Sequence, residues 1–578
     1  MSAGNEPIGY IIGGGLKEGF LIRLTVSADQ VQEGSFVVCD SGRFRYFGLV
    51  TDLRLGATDP RFADEKSDRL QPAIQEALLG KTLFTTLDMY PTLIMDKGPD
   101  FGTPEREQWE TAIDRGQVNP NPKPVKTVPA HHALVRQANE ADVAEIFGKE
   151  GQYRFVVGHT IEQGYAVRLN LERFVQRSSG IFGATGTGKS FLTRMVLAGL
   201  MCENVASALV FDMHNEYAFD DTDSDRQVRV RGLKSMFGQR VQVAALGKGA
   251  TVGSHTPDFT LELALSDFGT ADITLLSSAL NLTDTAAVTL NALAGAFKKG
   301  NWFAEFMKLD PGAVETDSDT GKTQPAPNSV AYWARRNNVH DSAAEALHRK
   351  LKLIFDKPYV VENPATDAVR AIVDKLENGR HVILSFGAHE SDLDYMLVSN
   401  ILTRRIREHW IRKTEQYKSL SEGPAPKPLL IAIEEAHKLL SPQMSGQTAF
   451  GTIAREMRKY FVTLLVVDQR PSGIDDEVMS QLGTRITGWL GDEDDIRAVL
   501  TGLAGRVQLR GMLARLQEKE EVLLLGWGVK MPIPIRSRRY DERFYADMKE
   551  CSPSSAKSGF TALSDDYGEE AANEDLFG

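Results

Sequence analysis

The stretch Gly183-Ala184-Thr185-Gly186-Thr187-Gly188-Lys189-Ser190 matches the pattern G-x-x-x-x-G-K-[ST] at every position. The residues just before it, 179–182, read as the end of a strand, and apolar residues recur at helical spacing over 191–200. A glycine loop between a strand and a helix turns several backbone N–H groups towards phosphate oxygens, and the helix N-terminus adds partial positive charge. The sequence therefore predicts a binding site for a nucleoside triphosphate.

The residue types in this loop predict how ATP and Mg²⁺ are held. The ammonium group of Lys189 is expected to reach the β- and γ-phosphates, and the hydroxyl of Ser190 is expected to bind Mg²⁺. The predicted nucleotide-binding residues are Gly183, Ala184, Thr185, Gly186, Thr187, Gly188, Lys189, Ser190 and Phe191.

Composition places the chain among ordinary globular proteins. Of its 578 residues, 42% are apolar and 25% are charged, and no apolar run is long enough to span a bilayer, so we expect a cytoplasmic protein without a membrane segment. The net charge of −12 argues against a protein that coats nucleic acid with its whole surface. It leaves open a ring whose basic residues are confined to a central channel.

The pattern along the chain predicts an α/β protein with three parts. Short strands separated by turn signals predict a small β-barrel over residues 1–150, with one helix near residues 70–79. Alternating strands and helices predict a P-loop (RecA-like) ATPase core over 151–550, with a helical insertion at about 255–375. Residues 551–578 are polar and acidic, which is typical of a disordered tail.

Two acids after an apolar strand predict the hydrolytic half of the site. Residues 428–433 are apolar, and Glu434 and Glu435 follow them. ATP hydrolysis needs one carboxylate to hold the hydrated Mg²⁺ and a second to orient or deprotonate the attacking water. By position, Glu434 is predicted to serve the metal and Glu435 to be catalytic.

Further polar residues near strand ends are weaker candidates. The amide of Gln469, at the tip of an apolar strand, could sense the γ-phosphate, and Arg455 could be a surface cation or a finger inserted into a neighbouring subunit's site. Asp212, at another strand end, could lie near the nucleotide or be a solvated acid. A run of basic residues near 404–413 on a long helix is typical of a solvated face, although it could also face DNA or another subunit.

Taken together, these motifs resemble the HerA branch of the HerA/FtsK ATPases. The resemblance rests on the glycine loop, residues 212–217, residues 433–437 and the segment from Ala454-Arg455-Glu456 to Gln469-Arg470-Pro471-Ser472, and it covers about residues 1–540. Met213, Asn215 and Asp468 depart from the family pattern. None of the three departures removes a predicted phosphate contact.

The resemblance implies a hexameric ring that threads double-stranded DNA with an effector such as a NurA-like nuclease or a sirtuin-like NADase, in DNA end processing or anti-phage defence. It also implies that Lys189, Ser190, Glu435 and Gln469 take the roles given above. Arg177 matches a family arginine that contacts nucleotide, whereas the residues alone identify only a basic loop position.

Two other functions are compatible with the same residues. The chain could be a conjugation-type ATPase that pumps DNA. Alternatively, it could be an oligomeric scaffold that assembles and activates an effector enzyme, with ATP as a regulatory ligand. DNA-stimulated ATP turnover separates the translocase from the scaffold.

Overall fold

The computed structural model describes residues 6–57, 83–99, 102–117, 119–222, 228–297, 301–316, 322–364, 366–389, 391–420 and 425–549. Within these ranges the chain forms two compact units. The first contains the residues up to Leu192 together with Gln469–Ser472 and Leu482–Arg539, and the second contains Thr193–Asp468, Gly473–Gln481 and the residues from Tyr540 onward.

The strands and helices alternate along most of the chain. The strands up to the glycine loop are β1 Pro7–Gly15, β2 Gly19–Leu24, β3 Phe36–Ser41, β4 Phe44–Ala57, β5 Leu83–Asp96, β6 Lys123–Pro124, β7 Leu134–Gln137, β8 Arg154–Thr160, β9 Ala166–Asn170 and β10 Ser179–Phe182. The helices in the same part are α1 Pro104–Asp114, α2 Glu140–Phe147 and α3 Leu171–Gln176.

The middle of the chain begins with the helix that follows the glycine loop. Its helices are α4 Lys189–Glu203, α5 Leu233–Phe237, α6 Thr270–Leu275, α7 Asp284–Ala296, α8 Trp302–Met307, α9 Val330–Arg336, α10 Asp341–Phe355 and α11 Ala368–Glu377. Its strands are β11 Ser207–Asp212, β12 Asp221–Thr222, β13 Arg229–Val230, β14 Val241–Leu246, β15 Phe259–Leu261, β16 Leu263–Ala264, β17 Val314–Thr316, β18 Thr323–Pro325, β19 Val360–Val361 and β20 His381–Ser385.

The last part continues the alternation of strands and helices. Its helices are α12 Asp392–Leu420, α13 His437–Leu440, α14 Ala449–Glu456, α15 Asp476–Gln481, α16 Glu493–Val499, α17 Arg506–Ala514 and α18 Glu542–Lys549. Its strands are β21 Leu429–Ile433, β22 Val462–Asp468, β23 Thr484–Thr487, β24 Glu521–Gly526 and β25 Ile533–Ser537.

The first unit begins with a closed antiparallel barrel. Six strands follow one another around it in the order β2-β1-β7-β3-β4-β5, and β5 pairs back onto β2. Alternate side chains, among them Phe20, Val37 and Tyr46, point inward and form its buried core. Because every strand finds two neighbours, closure leaves no long exposed sheet edge.

The remainder of the first unit is a mixed sheet that carries the glycine loop. Strand β10 pairs in parallel with β23, and antiparallel pairs then continue through β24, β25, β8 and β9. The barrel is hydrogen-bonded to the loop after β8, where the Glu162 carboxylate accepts from the Ser35 hydroxyl at 2.7 Å and from the backbone N–H of Gln32 at 3.0 Å.

The second unit is built on a parallel sheet. Its strands lie in the order β15-β14-β20-β11-β21-β22, and each neighbouring pair is parallel. All residues of β11, β14, β20, β21 and β22 are buried. Helices that cover both faces of a parallel sheet account for these near-continuous apolar runs.

A helical insertion lies between strands β15 and β20 and is tied to the long helix α12 by ion pairs. The guanidinium of Arg404 donates to both carboxylate oxygens of Asp272, at 2.8 and 3.1 Å, and Arg405 pairs with Asp267. Lys413 of the same helix pairs with Glu377. These three basic residues therefore bind acids of the same unit, and their side chains stay partly exposed to solvent.

These observations confirm the predicted fold class, an α/β P-loop core with a helical insertion after a small β-barrel. The domain boundaries at 150 and 550 and the bounds of the insertion at about 255–375 remain predictions. Strand β15, which lies inside the latter range, pairs in the parallel sheet. The helix predicted near 70–79 and the tail 551–578 lie outside the described residues. No helix within the described ranges is both long enough and apolar enough to cross a membrane.

The buried His381 at the start of β20 predicts a pH dependence of stability. Its Nδ1 accepts from the backbone N–H of Ala208 at 3.2 Å, and burial, followed by the charges of Arg240 and Lys427, lowers its pKa to about 3. The unfolded chain binds a proton near pH 6.5 and the folded chain does not. Each unit by which the pH is lowered between pH 6.5 and 3 should therefore reduce the free energy of unfolding of the wild type by about 1.4 kcal/mol through this histidine.

His381→Asn retains an oxygen acceptor and removes the titration. The variant should be less stable at pH 7.5 because it loses packing, and the difference in its unfolding temperature from the wild type should shrink at pH 5.5. Thermal melts of both proteins at the two pH values measure this difference. A difference that does not change with pH would show that His381 does not titrate on unfolding.

Candidate nucleotide site

The glycine loop joins β10 to α4 in a conformation that its sequence requires. Gly186 and Gly188 have φ values of 79° and 89°, in the left-handed region where side chains are strained. The loop is closed by the Thr187 hydroxyl, which donates to the carbonyl of Ala184 at 2.8 Å, and it is anchored by the Ala184 N–H, which donates to the carbonyl of Trp489 at 2.9 Å. The first unit thus presents a curled backbone with the geometry that phosphate binding requires.

Lys189 and Gln469, two residues predicted to contact the phosphates, lie at this loop. The ammonium group of Lys189 donates to the carbonyl of Ala184 at 3.0 Å, so its charge is directed into the loop. The hydroxyl of Thr185 donates to the side-chain oxygen of Gln469 at 2.6 Å. Ser190 is half-buried in the first turn of α4. The structure therefore places Gln469 beside the phosphate-binding loop, as a sensor of the γ-phosphate would need to be.

Glu434 is a buried carboxylate in the second unit. The hydroxyl of Tyr217 donates to its Oε1 at 2.5 Å, and its Oε2 is buried with no hydrogen-bond partner among the described residues. Burial, and then the nearby Asp212 carboxylate, raise the pKa of Glu434 well above its usual value. A hydrated divalent cation would supply both the missing partner and the missing charge, so this residue fits the predicted metal role.

Asp212 is a buried acid that organises the turn after its strand. Its carboxylate is fully buried and accepts the backbone N–H groups of Glu216 at 2.8 Å and Tyr217 at 3.0 Å, and burial raises its pKa to about 6. Asp212 therefore fixes the turn that carries Tyr217, and Tyr217 in turn holds Glu434. The interpretation of Asp212 as a solvated acid is wrong.

Glu435 lies in a strained backbone conformation next to a histidine. Its φ of 44° is in the left-handed region, which is costly for a residue with a side chain. Its Oε2 is 3.6 Å from Nδ1 of His437, and the same nitrogen is 3.0 Å from Oδ2 of the buried Asp468. The hydrogen bond to Asp468 raises the pKa of His437. The apolar run 428–433 predicted that Glu435 follows a strand. The approach of His437 to Glu435 and the bond between His437 and Asp468 were not predicted.

The side chains of Glu435, His437 and Asp468 also form the one group of possible metal ligands found within the described ranges. One ligand atom from each lies within 4.8 Å of the others. To ligate an ion through Nδ1, His437 would have to give up its hydrogen bond to Asp468. The structure thus shows His437 hydrogen-bonded to Asp468, with Glu435 close by, and the metal role fits Glu434 better.

The two predicted arginines are engaged within their own units. Arg455 donates to the carbonyl of Ser445 at 3.1 Å and lies 3.7 Å from the Glu477 carboxylate. Arg177 stacks on Trp527, with its guanidinium carbon 4.3 Å from the ring centre. These contacts account for the conformations of both side chains, and their nucleotide roles remain predictions.

Comparison with known proteins shows which proteins this chain resembles. The family model described as "Helicase HerA, central domain" matches residues 155–406. The chain is similar to the DNA double-strand break repair helicase HerA of Saccharolobus solfataricus, with 24% identity over 92% of this chain and 91% of the relative. It is 23% identical to the HerA helicase of Sulfolobus acidocaldarius, over 92% of this chain and 93% of the relative.

Two solved structures are similar to the chain at lower sequence identity. VirB4 of Thermoanaerobacter pseudethanolicus is 15% identical with a TM-score of 0.41, and it covers 68% of this chain and 98% of its own. The bacterial conjugative coupling protein TrwB is 11% identical with a TM-score of 0.42, and it covers 70% and 92% respectively.

The family match includes the whole glycine loop, and the similarity to the curated relatives extends over nearly all of both chains. The central part of the chain therefore matches the HerA helicase model, and the chain as a whole is similar to HerA helicases.

Proposed function

We propose that this ATPase is a motor that moves double-stranded DNA through a hexameric ring. The observation that carries the proposal is the extent of the similarity. Relatives named as DNA double-strand break repair helicases match the chain over 92% of its length, and this includes the barrel as well as the ATPase core. A similarity limited to the nucleotide site would support only an ATPase.

In the proposed mechanism, some of the site residues bind the phosphates and others activate water. Lys189 neutralises charge on the β- and γ-phosphates, and Gln469 reports the γ-phosphate through its contact with the loop. Glu435 orients the attacking water and accepts its proton. Ser190 and Glu434 would hold Mg²⁺, which supplies positive charge at the phosphates. Removal of the terminal phosphate is then the event that changes the conformation of the ring.

The proposal also gives roles to two arginines in the ring and to a partner protein. In the ring, Arg455 of one subunit leaves its contacts with Ser445 and Glu477 and completes the site of its neighbour, and Arg177 contacts the nucleotide. The barrel is the platform for an effector, a NurA-like nuclease or a sirtuin-like NADase, in DNA end processing or anti-phage defence. Copurification with the protein encoded next to it, followed by measurement of mass, tests the partner.

Hydrolysis should fail in two distinguishable ways. Lys189→Ala removes charge that the phosphates need, so nucleotide affinity should fall at least about tenfold. Glu435→Gln removes a group needed only in the transition state, so affinity should be retained while turnover falls about 100-fold or more. Equilibrium binding of a fluorescent ATP analogue and steady-state ATPase rates measure the two effects. Equal loss of binding in both variants would contradict the assigned roles.

A site completed across a subunit boundary predicts complementation. Lys189→Ala and Arg455→Ala subunits should each be inactive alone, and a mixture should regain part of the turnover because some boundaries combine an intact loop with an intact arginine. ATPase assays after subunit exchange, with unmixed variants as controls, measure this recovery. Normal turnover by Arg455→Ala, or full activity in a monomer, would rule out the arrangement.

Transport through a channel predicts DNA binding without sequence preference. Contacts to phosphates carry no sequence information, and their affinity should fall with salt with a slope of about −0.9 per phosphate contacted on duplex DNA. Titration of duplexes of unrelated sequence at several salt concentrations, together with DNA-stimulated ATPase rates, provides the measurement. Salt-insensitive binding, or turnover indifferent to DNA, would favour the scaffold function instead.

A further inference from the structure

Asp468 makes contacts that no role in the proposed reaction explains. It is the last residue of β22 and is 1% exposed. Its Oδ2 accepts the backbone N–H of His437 at 2.7 Å, and the imidazole Nδ1 of the same histidine lies 3.0 Å from Oδ2 and 3.2 Å from Oδ1. One buried carboxylate thus holds both the main chain and the side chain of His437. Since a carboxylate only accepts, Nδ1 must carry the proton of this bond.

The segment that Asp468 holds contains the residue proposed to activate water. Glu435 stands two residues before His437, and its left-handed backbone conformation is one that a residue with a side chain leaves unless its surroundings fix it. After this residue the chain enters helix α13, whose first residue is His437. A bond to the N–H of His437 therefore restricts the turn on one side of Glu435.

Two other contacts restrict the same turn. The hydroxyl of Tyr395 donates to the carbonyl of Glu434 at 2.7 Å and fixes the peptide that precedes Glu435. Gly473 packs against His437 so closely that a methyl group there would lie 3.1 Å from the Cβ of the histidine. Tyr395 and Asp468 thus hold the turn from opposite ends, and the imidazole edge stands 3.6 Å from the Glu435 carboxylate.

We propose that Asp468 and His437 are a positioning pair for the water-activating carboxylate of Glu435. Asp468 fixes the imidazole of His437, and the imidazole and the clamped turn together fix the direction of the Glu435 side chain. The inference rests on the proposed role of Glu435 and adds two residues to that site. Neither residue is a catalytic residue, because both act through Glu435.

Asp468→Asn is the sharpest test because it keeps the shape of the side chain and removes its charge. An asparagine oxygen in the place of Oδ2 can still accept the backbone N–H of His437, so the turn can fold. The NH₂ group in the place of Oδ1 cannot accept from Nδ1–H, and a neutral side chain holds the imidazole less strongly than a carboxylate does. The turnover number of the full chain with saturating duplex DNA should fall on the order of 10- to 100-fold, the cost of a misdirected catalytic group. KM and the dissociation constant for a fluorescent ATP analogue should change less than about twofold.

A second variant covers the case in which Asp468→Asn does not fold. His437→Asn keeps the backbone N–H bond to Asp468 and removes the imidazole, and it should show the same loss of turnover with the same nucleotide affinity. The Asp468→Asn/His437→Asn double variant should be no slower than the slower single variant, because the two residues act as one unit. Asp475→Asn is the matched control: this half-buried aspartate accepts backbone N–H groups of Glu477 and Val478, and its loss should leave turnover unchanged.

Glu435→Gln, measured in parallel, distinguishes failure of this inference from failure of the proposed function. If Glu435→Gln abolishes turnover while Asp468→Asn or His437→Asn retains wild-type turnover, only the positioning pair is disproved. If Glu435→Gln retains turnover, the proposed role of Glu435 fails and the pair fails with it. Loss of nucleotide affinity together with turnover in both pair variants would show a structural role and would also overturn the inference.

Discussion

The second unit depends on keeping carboxylates out of water at the ends of its parallel strands. Asp212, Glu434 and Asp468 are all less than a tenth exposed. Removing a carboxylate from water is costly unless donors replace the solvent. Each of the three is therefore surrounded by a specific set of donors: backbone N–H groups for Asp212, the Tyr217 hydroxyl for Glu434, and the backbone and imidazole of His437 for Asp468. The conformations of the loops after these strands follow from that requirement.

The three carboxylates differ in how many hydrogen bonds they accept. Asp212 and Asp468 each accept at least two hydrogen bonds, which is what a structural acid needs. Glu434 has one oxygen without a protein partner among the described residues, and its pKa is raised by burial and by Asp212. A protein that needed Glu434 only for folding would do better with an apolar residue at this position. The missing hydrogen-bond partner of Glu434 is thus an argument that a ligand from outside the chain binds this oxygen.

The sequence predicted the parts of this protein that depend on local patterns. The glycine loop could be predicted because Gly186 and Gly188 supply backbone conformations that other residues avoid, and the buried strands because parallel sheets require continuous apolar runs. Contacts between distant residues could not be predicted in this way. Arg404 and Asp272 are 132 positions apart, so the periodicity of helix α12 could not show that its basic residues hold the insertion. The same holds for Asp468 and His437, which are 31 positions apart on neighbouring elements.

The departure of Asp468 from the family pattern was nevertheless visible in the sequence, and the structure gives it a physical meaning. A buried acid at a strand tip must find a donor, and the available donors lie in the segment that follows the neighbouring strand β21. That segment carries Glu435 in a conformation that its own residue type disfavours. In the glycine loop, the left-handed conformations cost little because glycine has no side chain. In the proposed mechanism the side chain of Glu435 is the functional group, so glycine is excluded and the strain must be offset by contacts from outside the turn. A strained functional residue therefore requires a supporting acid such as Asp468, whereas the glycine loop does not.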